Sequence, residues 1–73
     1  MFEELEKKSL PEIARFLGYF TRENVSKEEL TNFLEAFTRL LKIIREDFDE
    51  DYFIEEFAIY DYRIFYITEE EEV

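Results

Sequence analysis

Apolar residues recur along the first half of the chain at alternating spacings of three and four, the mark of helices with one buried face. Leu10, Ile13, Leu17 and Phe20 form one stripe. Leu30, Leu34, Phe37, Leu41 and Ile44 form a second, widened by Phe33, Leu40 and Ile43. A capping box opens each. Ser9-Leu10-Pro11-Glu12 places a serine N-cap, a proline in the first turn and a glutamate at the third helical position, and Ser26-Lys27-Glu28-Glu29 repeats the device. The pattern predicts helices over about 9–20 and 27–46. Phe2 and Leu5 read as a short lead-in helix or staple. The single glycine, Gly18, either ends the first helix or stays inside it and, with Ala14, admits a close neighbour. The reading adopted ends that helix near Tyr19–Thr21 and continues into a polar turn through Arg22-Glu23-Asn24. Arg39, Lys42 and Arg45 fall in the last two turns of the second helix, where cations suit the negative end of the dipole.

Past Asp47-Phe48-Asp49-Glu50-Asp51, read as a turn, the pattern changes. Residues Tyr52 to Thr68 contain no Gly or Pro and are dense in Ile, Tyr and Phe, the strand-forming types. Phe53, Phe57, Ile59, Phe65 and Ile67 share one parity, and Ile64-Phe65-Tyr66-Ile67 is the clearest strand, with a hairpin turn near Tyr60–Arg63. Phe53, Phe57 and Tyr60 also stand at helical spacing, which supports a competing helix over Asp51–Tyr60. The expected fold is α+β, two helices packed on a small C-terminal β element at about 52–68, with an all-α three-helix bundle as the alternative. A single domain is expected over 1–68 and a disordered acidic tail over 69–73.

Composition then sharpens the picture. A chain of 73 residues lies near the lower limit for independent folding, and with no cysteine it has neither disulfides nor thiolate metal sites to help. Nine Phe and five Tyr are more than so small a core readily encloses, which points to an oligomer, a homodimer first, or to a partner interface. The start has no basic and apolar leader pattern, and no apolar run approaches the ~18 residues of a membrane span, so an intracellular, non-membrane protein is expected. Gln, His, Cys and Trp are absent and Asn occurs only twice, a depletion compatible with a thermophilic source.

Charge divides the chain in two. Residues 1–45 hold eight acids and eight bases, whereas residues 46–73 hold twelve acids against Arg63 alone, and these account for the whole net charge of −11. Such a block repels itself and exceeds what solubility requires of a small domain. It argues against direct nucleic-acid binding, which uses clustered Lys and Arg. It favours a basic protein surface as partner. Alternate residues on a strand face stand roughly 6.6 Å apart, on the scale of backbone phosphates. Glu46, Asp47, Asp49, Glu50, Asp51, Glu55, Glu56 and Asp61, set among Tyr52 and Tyr62, therefore form the candidate partner-binding set. They would imitate phosphates in the basic groove of a nucleic-acid-handling protein. The profile is similar, by analogy only, to that of small acidic proteins of viruses and mobile elements that inhibit restriction, CRISPR or repair machinery. The competing expectation is a structural or adaptor subunit that assembles through its aromatic face, its acids serving solubility.

Enzymatic chemistry is poorly provided for. Histidine and cysteine are missing, and both capping serines lack a base to activate them. Asp47, Asp49 and Asp51 resemble the start of a calcium loop, but its sixth position, which requires glycine, is Tyr52, and its twelfth, which requires glutamate, is Ala58. The sequence predicts no catalytic residue, metal site or cofactor.

Overall fold

A computed structural model of the chain describes residues 3–64. Its elements are α1 (Glu3–Lys7), α2 (Leu10–Asn24), α3 (Lys27–Ile44) and α4 (Glu50–Tyr60). There is no strand among the described residues: the described part of the expected β element is a fourth helix, and the fold of these residues is all-helical and not α+β. Residues 65–68 of that β element and the tail at 69–73 lie outside the described range.

Both capping boxes form half of their expected bonds. The Ser9 hydroxyl accepts from the Glu12 N–H and the Ser26 hydroxyl from the Glu29 N–H, at 3.3 Å each. The lead-in segment is α1, with Leu5 packed on the core. Helix α2 does not end near Tyr19–Thr21. It runs through Gly18 in ordinary helical backbone, with no positive φ, to Asn24. Helix α3 stops two residues short of the expected boundary, at Ile44, with Arg45 as its C-cap.

The strand expectation for residues 52–64 fails for a local reason. Asp49 is an N-cap whose carboxylate accepts the Tyr52 N–H at 3.2 Å, and Glu50 and Asp51 place negative charge at the positive end of the helix dipole. Once the helix starts, Phe53 and Phe57, four residues apart, fall on one face and are fully buried. Ile59, which shares their strand parity, is 67% exposed because it sits on the opposite face. The expected hairpin turn at 60–63 is instead the end of α4, with the Asp61 N–H bonded to the Phe57 carbonyl at 3.0 Å.

The closest pairing of helices is α2 with α4, and α1 packs against α3. Gly18 permits the first: a Cβ there would lie 2.6 Å from the Tyr60 Cβ and 3.1 Å from the Phe57 carbonyl oxygen. The core gathers Leu10, Ile13, Ala14 and Leu17 from α2, Leu30, Leu34 and Leu41 from α3, Phe53 and Phe57 from α4, and Ile64. The predicted stripes hold at these positions and fail at their margins, where Phe20 and Ile43 are exposed. No described helix is long and apolar enough to cross a membrane.

Candidate functional site

Two arginines close the fold in the same way. Arg63 binds Asp61 side-on, Nε to Oδ1 at 2.9 Å and Nη2 to Oδ2 at 2.8 Å. It also donates to the carbonyls of Thr21 and Val25, both at 2.8 Å, at the C-terminal end of α2. Arg45 binds Asp47 with the same fork, at 2.9 and 2.8 Å, and donates to the carbonyls of Leu5 and Lys8 at the end of α1. In each case an Asp two residues away orients a guanidinium onto carbonyls at the C-terminal end of an earlier helix, where positive charge is favoured.

These contacts consume part of the candidate acidic set. Asp61 is fully buried, not part of an acidic face, and also accepts the Thr21 hydroxyl at 2.7 Å. Burial pushes its carboxyl up, but the hydrogen bonds from Arg63 and Thr21 outweigh this and hold it below the ordinary aspartate value. The Asp61 carboxylate in turn raises the Arg63 guanidinium above its ordinary value. Asp47 is exposed, and its Arg45 hydrogen bonds likewise lower its carboxyl. Asp49 caps α4, and Glu50 pairs with Lys42 at 3.1 Å. Glu46, Asp51, Tyr52, Glu55 and Tyr62 are exposed and Glu56 is half-buried. Asp51 and Glu55 lie on one helical ridge, as do Tyr52 and Glu56. The set is therefore carried on α4 and its flanks, at helical and not strand spacing.

A concavity lies elsewhere. A groove of about 750 Å³ is walled by α1, α2 and Phe37 of α3. Its apolar lining includes Leu5, Ile13, Phe16, Leu17, Phe20 and Phe37. Phe16 is 73% exposed, and Phe20 continues into an aromatic row with Phe33 and Phe37, at centroid separations of 6.1 and 6.2 Å. Its charged rim carries Glu4, Lys8, Glu12, Arg15 and Glu23, and no residue beyond 37 lines it. The aromatic surplus signalled such a surface; its position was not legible, because Phe16 belongs to neither predicted stripe and Phe20 was assigned to the core.

Among the described residues, no buried side-chain nitrogen or oxygen lacks a partner, and no group of three or more His, Cys, Asp or Glu is placed to hold a metal ion. No family model, curated protein or solved structure matches the chain.

Proposed function

We propose that this protein is a non-catalytic assembly module that docks a protein through the aromatic groove of α1, α2 and α3, with its acidic residues serving solubility. The observation that carries the reading is the groove itself, where Phe16 and Phe20 remain exposed beside Phe37. Exposed apolar surface gathered in one concavity, rimmed by charge, is the usual form of an interaction site. Aromatic residues give such sites most of their binding energy. Four of the ten candidate acidic-face residues, Asp47, Asp49, Glu50 and Asp61, already serve the fold, which weakens the phosphate-imitating reading.

The two readings differ in their response to salt. An apolar dock keeps its affinity in half-molar salt, whereas a charge-driven dock on the α4 face is screened away. A photo-crosslinking phenylalanine analogue placed at position 16 or at position 55 reports which surface is covered. Salt-resistant crosslinking from 16 is the expected result. Crosslinking from 55 alone, abolished by salt, would overturn the assembly reading in favour of a basic partner on α4.

A further inference from the structure

Resting on that reading, we infer that the groove's occupant is a second copy of this chain, with the α2 helices antiparallel about a two-fold axis near Tyr19. Three observations converge on this occupant.

The first is charge. The chain carries −11, yet the groove rim carries both signs, Glu4, Glu12 and Glu23 against Lys8 and Arg15. These charges are unspent: among the described residues Glu4, Lys8, Glu12 and Arg15 form no ion pair, and Glu23 meets only its neighbour Arg22, at 3.9 Å. A strongly basic partner would prefer the acidic α4 face and a strongly acidic one would be repelled by the whole chain. A surface with both signs suits one of the same kind.

The second is the order of those charges. Arg15, Tyr19 and Glu23 follow one another at intervals of four along the groove side of α2, so they share a ridge. Arg15 and Glu23 stand equally far from Tyr19. A two-fold axis at Tyr19 therefore sets Arg15 of each copy opposite Glu23 of the other, giving two interchain ion pairs from one ridge. Isologous contacts of this kind are how most homodimers are built.

The third is shape and the placement of the repulsive block. The same patch offers a projecting Phe16, 73% exposed, and a groove to receive one. None of the acids from Glu46 to Asp61 lines the groove.

Sedimentation equilibrium on the full chain tests this, with helical content followed by circular dichroism. Wild type is expected at twice 9.1 kDa near 100 µM, and dilution should yield monomer. Arg15→Glu replaces two attractions by two repulsions and should raise the dissociation constant roughly tenfold, about 1.4 kcal/mol; Glu23→Arg should do the same. The double variant R15E/E23R restores both pairs with reversed polarity and should return the constant to near wild type. A different partner would not follow the reversal. A wild-type monomer at about 100 µM, or a double variant no tighter than the singles, overturns the second copy as occupant. A monomer whose position 16 crosslinks to another protein of the native cell leaves the assembly reading standing without the dimer. A monomer with no crosslink from the groove removes both.

Discussion

Gly18 and Tyr60 approach so closely that a Cβ on the glycine would come within 2.6 Å of the tyrosine's own Cβ. This contact seats α4 on α2, and it makes a clear prediction for Gly18→Ala. In an exposed helix the change would stabilise by up to about 1 kcal/mol. Here the new methyl also meets the Phe57 carbonyl oxygen at 3.1 Å and the Asp61 nitrogen at 3.2 Å, backbone atoms that move only with the helix. Overpacking of this sort costs about 1–3 kcal/mol, so a net loss is expected. Urea unfolding should show a lower midpoint. A higher one would mean that α4 shifts off α2 at little cost.

The Arg63–Asp61 pair should contribute far more to stability than its surface counterpart. Replacing Arg63 with Ala leaves the fully buried Asp61 carboxylate without its cationic partner and takes a donor from the Thr21 and Val25 carbonyls, a loss of roughly 3–5 kcal/mol. Replacing Asp47 with Ala leaves Arg45 its two carbonyl acceptors and removes only an ion pair whose carboxylate faces water and is screened by it, so the loss should be far smaller. Equal losses for the two variants in equilibrium unfolding would refute the distinction between them.

Those two relationships also mark what sequence could and could not reveal. The serine caps and the apolar stripes of α2 and α3 are local, and both were legible from residues three or four apart. Helix α4 was visible only as a competing pattern. Its Ile, Tyr and Phe content favours strands, and β propensity yields to context. Asp49 was the overlooked cue, a capping residue read as part of an acidic turn. Gly18 against Tyr60, and Asp61 against Thr21, join residues some forty positions apart, so no local pattern announces them. The same holds for the groove, which exists because Phe16 and Phe20 lie off the face that α2 buries.

Asp49 and Glu55 are both exposed acids of one charge block, yet they should behave differently. Asp49→Ala removes the cap from the Tyr52 N–H and should cost about 1 kcal/mol. Glu55→Ala breaks no hydrogen bond or ion pair among the described residues and relieves some repulsion, so its effect should lie within about 0.5 kcal/mol. Thermal melts of the two single variants decide it. A Glu55 variant as damaged as the Asp49 variant would mean that the acid has a structural partner.

Stability should pass through a maximum as pH falls. Between pH 7 and the isoelectric point near 4.3, protonation relieves the self-repulsion of the −11 charge, so melting temperature should rise. Asp61 opposes this at lower pH. Its folded carboxyl is held below the value of about 3.9 expected of an unfolded aspartate. Its stabilising effect is therefore complete above that value and is lost as pH falls through the folded one. Asp47 shifts in the same direction and adds to the acid limb, though its exposure makes the share small. Arg63 stays charged throughout and contributes no slope of its own. Melting temperature should thus climb on acidification from neutral pH and drop below about pH 4. Asp61→Asn should lower the curve at neutral pH and flatten its acid limb. A wild-type curve that falls steadily from pH 7 would make the repulsion negligible, and an acid limb unchanged in the Asn variant would assign acid unfolding to groups other than Asp61.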